Sequence, residues 1–541
     1  MAKRKAARPS QSGWTPERSV AGARNPWLIV GVISIATFMV VLDTSIANVA
    51  LDHIAGSLSA SYDEASWVIT SFLISNAVVI PISGWLADVI GRKRYYMMSV
   101  ALFTISSLLC GLAPNLSLLI CARILQGIGG GGLAPVEQSM LVDTFPPEKR
   151  GLAFAAYGVV VIVGPIAGPT LGGYITDNIS WHWVFLINVP IGLLSLVLVS
   201  IFVNEPEALI RRSEELRRGG IRIDFVGFLL IALFLGCLEV TLDRGQREDW
   251  FSSPIITASA IISALSLFVF VPWELSRKNP VVAIRLFATR NFSIASVLLL
   301  VTGLIIFGTT LFIPQFLQQV LHYSATDAGL ALTAGGLATI VMMPISGVLS
   351  NRVDPRIMVG AAFAIQGLAL WNMSHLSTQI SFTDAALARM WQAIGLPFLF
   401  VPITNVAYVG LRPEENNQAS ALMNVVRNLG GTIGISTVQT LLARRQQFHQ
   451  SHYVETLNPL NPNYTQSIDR IAGVLKAQGL APSDATAAAM GQIYRSLVQQ
   501  TLMLSYVEAF HVMMIVIFCA LPLVLLMRGP AKGAKTAGAA A

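Results

Sequence analysis

A chain of 541 residues that is 54% hydrophobic and only 12% charged carries more apolar surface than a soluble particle of that size keeps from water, which excludes an ordinary soluble enzyme or binding domain. Its net charge of +7 invites a polyanionic partner, yet the basic residues are scattered over short segments and make no stripe interleaved with aromatics, so nucleic acid is set aside. The cysteines Cys110, Cys121, Cys237 and Cys519 all fall in apolar runs, where they read as small packing residues rather than a metal or disulfide set.

In chain order, residues 1–26 form a basic, polar tail. The apolar run behind it is too long for a signal-peptide core and lacks a small-residue cleavage site, so no signal peptide is expected. Fourteen runs follow, starting near residues 27, 66, 95, 117, 152, 182, 223, 254, 292, 328, 357, 386, 418 and 505, each near the ~20 residues that cross a ~30 Å hydrocarbon core. Only helices or closed barrels satisfy backbone groups in lipid, and runs this continuous are helices rather than alternating strands of about ten residues. The expected fold is an all-α polytopic membrane protein. Of its 36 lysines and arginines, 26 lie in segments that share one side if both termini are cytoplasmic, the orientation that the positive-inside rule selects.

The chain also repeats itself. "RILQGIG" (123–129) aligns with "RMWQAIG" (389–395), and the same offset of 266 lays "PEK" (147–149) over "PEE" (413–415). "GWLADVIGRKR" (84–94) overlies a degraded "GVLSNRVDPRI" (347–357) with a slip of three. Two six-helix halves result, 27–203 and 292–527, separated by segment 204–291, which holds a charged linker and two extra spans. Residues 443–504 interrupt the second half as a polar segment expected outside. A Pro/Asn-rich turn region there should break any continuation of the thirteenth span, with amphipathic helices after it. Residues 528–541 form the final, cytoplasmic tail.

These motifs carry a resemblance. "GWLADVIGRKR" resembles the loop signature of the major facilitator superfamily, "RILQG" its fourth-helix motif, and "GPIAGPTLGGYI" the fifth-helix motif of its antiporters. With "LDTSIANVAL", "WHWVFLINVPIG" and fourteen spans, residues 27–527 resemble the EmrB/QacA type of drug:proton antiporter, most of all its EmrB-like branch. The resemblance implies the major facilitator fold and a proton-driven exporter of amphipathic compounds in the bacterial inner membrane. It implies no cofactor, and a periplasmic adaptor (a membrane fusion protein) and an outer-membrane channel as partners besides substrate, protons and lipid.

An ionisable residue inside a span costs at least about 2.5 kcal/mol on insertion scales, so such residues are functional candidates by default. Asp43 lies about 17 residues into an outward-running helix, roughly 25 Å from its start, and Arg123 about 6 residues into an inward-running one, roughly 9 Å below the outer face. At similar depth they can form a proton-coupling pair, because desolvation favours the neutral acid while a neighbouring guanidinium favours the anion. The repeat sets Arg389 over Arg123 but Thr309 over Asp43, so the carboxylate belongs to one half only. By resemblance, Arg123 with Gln126 and Gly127 forms the fourth-helix motif connected with proton transfer.

Further candidates are Glu137, for an inner proton exit, and Arg427, for an anionic substrate group or a carboxylate. Glu239 and Glu508 read better as solvated helix ends. Gly84, Asp88, Gly91, Arg92 and Lys93 match the cytoplasmic gate motif, in which Asp88 would latch basic groups across the two halves. Asn351 and Pro355 degrade its repeat. Gly164, Gly168 and Gly172 recur every four residues, with Pro165, Pro169 and Gly173, and give a smooth helix face expected at the contact between halves. "QGIGGGGLAP" has no strand before it, and no Walker A pattern occurs, which argues against ATP hydrolysis. The seven histidines show no ligand spacing, which argues against a membrane-embedded metalloenzyme. An importer or facilitator of a small metabolite with the same scaffold remains the alternative, since fold does not set direction.

Overall fold

The computed structural model describes residues 25–218, 224–277, 280–350, 352–377 and 380–527. The tails 1–24 and 528–541, the linker residues 219–223 and Asn351 lie outside the described residues.

Helix α1 (Pro26–Val49) starts where Asn25 accepts from the Trp27 amide at 2.9 Å with proline in the first turn, and continues into the short α2 (Leu51–Ser57). A capping box between Ser61 and Glu64 opens α3 (Tyr62–Ile90), which ends at Gly91 with φ +99°. The positive φ favours glycine, and so does space, since a Cβ there would meet Glu205 Oε1 at 2.7 Å. Then come α4 (Arg92–Gly111), α5 (Leu116–Gly131) and α6 (Leu133–Thr144), the last two separated at Gly132. Next are α7 (Pro147–Asn178), α8 (His182–Leu186) and α9 (Asn188–Phe202). The charged α10 (Glu207–Arg218) leads to the inserted pair α11 (Phe225–Arg244) and α12 (Pro254–Ser276). The second half comprises α13 (Arg290–Gln319), α14 (Ala325–Leu349), α15 (Pro355–Met373), α16 (Phe382–Ala407), α17 (Asn416–Val454), α18 (Pro462–Ala477) and α19 (Pro482–Ala520).

Among the described residues, eleven helical segments are long and apolar enough to cross a membrane, with α5–α6 and α8–α9 each counting as one. The more polar α4, α15 and α17 pack among them: α4 on α5 and α9, α15 on α16 and α19, α17 on α13, α3 and α19. Two seams join the halves, α3 against α17 and α7 against α14. Since the repeat lays the end of α3 over the end of α14, the seams are the same contact made twice with the halves exchanged. The inserted α11 and α12 pack on each other, and α11 lies on α3 and reaches α17.

Segment 443–504 is helical almost throughout. Helix α17 does not stop near residue 443 but runs 39 residues to Val454, and α19 enters its span as another 39-residue helix. At 1.5 Å per residue each is about 58 Å long, far beyond the ~30 Å core. The chain turns at 455–461, where asparagine and proline cluster, and again at 478–481 between α18 and α19. Helix α18 then covers α19 through Ile468 and Ala472 against Ala485 and Ala489.

Candidate functional site

Glycines set the approach of the helices that build the site. A Cβ on Gly127 would meet Phe72 O of α3 at 2.5 Å, and one on Gly129 would meet Phe103 N of α4 at 2.6 Å. With its backbone drawn in this closely, α5 delivers Arg123 to the interior, where neither it nor Asp43 of α1 has any exposed surface. Arg123 Nη1 donates to Asp43 Oδ2 at 2.6 Å and to Gln126 Oε1 at 2.7 Å, and Nε donates to Val68 O at 3.0 Å. The other carboxylate oxygen, Oδ1, accepts from Gln126 Nε2 at 2.9 Å and Asn188 Nδ2 at 2.8 Å. Ser107 supports both amides, accepting from Gln126 at 3.1 Å and Asn188 at 3.0 Å while donating to Phe185 O at 2.9 Å. The guanidinium carbon lies 4.3 Å from the Phe72 ring centre and 5.4 Å from that of Phe185, and Nη2 has no partner among the described residues. A fully enclosed ion pair with one guanidinium donor unused can loosen or re-form as protons and neighbours change.

The second half repeats the arrangement without the acid. Arg389 Nη1 donates to Gln392 Oε1, and Gln392 Nε2 donates to Thr309 Oγ1 at 3.2 Å. Gln392 thus treats Thr309 as Gln126 treats Asp43, and a hydroxyl stands where the first half has a carboxylate.

Glu137 on α6 is fully buried, accepts from Thr37 Oγ1 at 2.6 Å and lies 3.2 Å from the Tyr96 hydroxyl. Arg427 bonds neutral Asn424 at 2.7 Å, with Phe400 5.8 Å away, and no carboxylate pairs with it among the described residues. Of the two expected solvated ends, Glu239 is buried, whereas the Glu508 side chain stays 30% exposed and is ion-paired. Glu239 is only 7% exposed and accepts from Thr432 of α17 at 3.2 Å, because α11 is laid against the bundle. Glu508 is paired with Arg445 at 2.6 Å and His449 at 3.1 Å, because α17 runs on beside α19 past the point where the loop was expected.

At the Asp88 end of the bundle the halves interlock. Asn417 of α17 donates to Asp88 and accepts from Ser139, and Asn416 donates to Asp143 Oδ1 at 2.8 Å. Asp143 is ion-paired with buried Arg92, while Lys93 donates to Ser200 O at 3.0 Å. Neutral amides of Asn416 and Asn417 thus cross the seam to Asp143 and Asp88, and the Arg92 pair with Asp143 lies within one half. Gly84 is required because a Cβ would meet Asn417 O at 2.8 Å. Nearby, burial pushes the Glu205 carboxyl above its ordinary value, against the charges of Arg92 and Arg94.

The glycine face of α7 also differs from expectation. Gly164, Gly168 and Gly172 face Val41, Ser45 and Ile46 of α1, a helix of the same half, and Gly173 meets nothing within 4 Å. Contact with the other half falls to Gly151 and Gly158, against α14 residues Gly347 and Met343. Pro165 lies in α7, and the side chain of Pro169 lies outside the described residues. Asn188, Ser107, Gln138 and Asn417 were not anticipated, although Asn188 stands out as the polar member of "FLINVPIG".

Residues 33–435 match the sequence model described as Major Facilitator Superfamily. The chain is 42% identical over 436 residues to the multidrug export protein EmrB of Haemophilus influenzae, covering 80% of this chain and 84% of that one. It is 37% identical over 479 residues to the multidrug export protein EmrB of Escherichia coli K12, covering 88% and 90%. It is 34% identical over 509 residues to the fatty acid resistance protein FarB of Neisseria gonorrhoeae, covering 94% and 97%. Among solved structures, the human organic anion transporter MFSD10 superposes with a TM-score of 0.55 at 13% identity, covering 91% of this chain and 99% of that chain. The proton:xylose symporter XylE gives 0.55 at 14%, covering 79% and 90%. At these identities the two structures bear on the fold alone.

Proposed function

The chain belongs to the major facilitator superfamily, a family of transporters and not of enzymes, and from that premise we propose that it is a multidrug efflux pump exchanging amphipathic compounds for protons across the inner membrane. The names of its EmrB relatives support the export of drugs. The observation that carries the proton coupling is the enclosed Asp43–Arg123 pair with its Gln126 and Asn188 donors, absent as a carboxylate from the second half. Asp43 takes a proton when water reaches it from outside, and protonation frees Arg123 to shift toward Gln126 and the Val68 carbonyl. Substrate occupies the space between halves near the midplane when they rock about the two seams.

The polar helices α4, α15 and α17 complete fourteen spans with both termini cytoplasmic, which sets the Asp88 end inside and the α17–α19 projection outside. This arrangement is therefore closed toward the cytoplasm. The projecting α18 and the outer turns of α17 and α19 offer a docking surface for an adaptor protein of a tripartite pump. Purified protein in vesicles with an imposed pH gradient tests the reading: wild type should move an amphipathic dye against protons, and Asp43→Asn should lose the gradient dependence. Unchanged gradient-driven flux in Asp43→Asn removes Asp43 from the mechanism, and substrate moving only together with protons establishes the importer instead.

A further inference from the structure

We propose that Glu137 is a second proton-binding carboxylate, which carries its proton while the halves are closed at the Asp88 end and surrenders it when they part there. The inference rests on the proton-exchange reading and adds a site to it.

Hydroxyl protons can be counted around the carboxyl. Tyr96 has one hydroxyl proton and two acceptors in reach, Ile33 O at 2.7 Å and Glu137 Oε1 at 3.2 Å. The shorter bond takes it. The Tyr96–Glu137 contact is then a hydrogen bond only if Glu137 supplies the proton. The remaining donors among the described residues both belong to Thr37, its Oγ1 at 2.6 Å from Oε2 and its backbone amide, and a fully buried carboxylate held by one neutral residue with no cation beside it is short of what an anion needs. The titratable and charged groups facing this spot are Tyr96 on α4, Tyr157 on α7, 3.5 Å from Thr37 Oγ1, and Arg427 across the seam on α17. Helix α1 contributes Thr37 and α9 Ser195. Arg427 is turned to Asn424, and no cation pairs with Glu137 among the described residues. A neutral acid satisfies every contact and an anion does not.

Release is built into the neighbouring residue. Gln138 accepts from Asn424 Nδ2 of the other half at 2.9 Å, so parting of the seam breaks that bond and admits water one residue from Glu137. Hydration stabilises the anion, and the proton leaves to the cytoplasm. Helix α1 links the two sites, with Thr37 six residues before Asp43, about 9 Å along the axis.

Infrared difference spectra of the purified full chain in lipid discs test the protonation state. In an Asp43→Asn background at neutral pH, subtracting the spectrum of the added Glu137→Gln variant should leave the carbonyl stretch of a protonated acid, and a carboxylate stretch instead overturns the proposal. Tyr96→Phe, which keeps the carboxyl, should move that band as the acid loses its acceptor, and a band that stays put refutes the assigned contact. In vesicles, Glu137→Gln alone should still be driven by the pH gradient but should accumulate about tenfold less substrate per pH unit, the factor for one proton fewer. Wild-type accumulation in Glu137→Gln would sink the second site while leaving Asp43 in place, whereas wild type unresponsive to the gradient would sink the exchange reading itself.

Discussion

Asp43 and Arg123 illustrate what a charge inside a bundle demands of its surroundings. Removing one partner strands the other without solvent, which costs about 3–5 kcal/mol in buried pairs. Asp43→Asn should therefore lower the thermal unfolding midpoint in detergent as well as uncouple transport, and Asp43→Asn with Arg123→Gln should regain most of the stability and none of the coupling. A double variant no more stable than the single one would show that the pair does not act as a unit. The charged members of this site were legible in the chain because an ion in an apolar run has no inexpensive explanation and because counting residues puts both at one depth. Asn188 and Ser107 were not, since neutral polar side chains in spans are common and mostly make local bonds. The same limit hid Asn417: nothing in "PEENNQAS" says that one amide reaches Asp88 on a helix of the other half.

At the level of helices, close approach is set by which face carries a missing side chain. Gly127 stands against the Phe72 carbonyl and Gly173 against open space, although both belong to recognisable motifs. Gly127→Ala should destabilise the protein by about 1–3 kcal/mol, the usual range for overpacking, while Gly173→Ala should leave the melting temperature unchanged; equal effects would contradict the helix rotations described. The spacing of Gly164, Gly168 and Gly172 correctly defined a smooth face on α7 but not its partner, which is α1. Helix α11 teaches the same lesson. Glu239 looked like an exposed end because hydropathy locates a span and does not say what lies beside it. Its hydrogen bond to Thr432 on α17, with Asp243 one turn on accepting from Thr70 on α3 at 2.6 Å, fixes the inserted helix to both halves.

For the whole molecule, the proposed exchange requires that two well-packed seams come apart in turn. The α6–α17 contact at Ser139 and Asn417 lies at the closed end, so cysteines at both positions, in a background free of the four native ones, should form an oxidative cross-link that arrests transport until reduction restores it. Full transport by the cross-linked protein would mean that the halves do not separate there.

Composition and run length were enough to specify an all-α membrane protein, because the bilayer dictates helix length and admits few alternatives. The chain also marked its buried charges, through their cost. Tertiary structure alone decided which groups meet: that Gln126 and Asn188 hold Asp43, that Glu137 sits among hydroxyls, and that glycine faces pack within a half. It also carried α17 on past residue 443 to Val454, beside α19. Helix rotation and pairing depend on contacts between residues as much as 80 and 329 positions apart, and local sequence patterns contain no term for them.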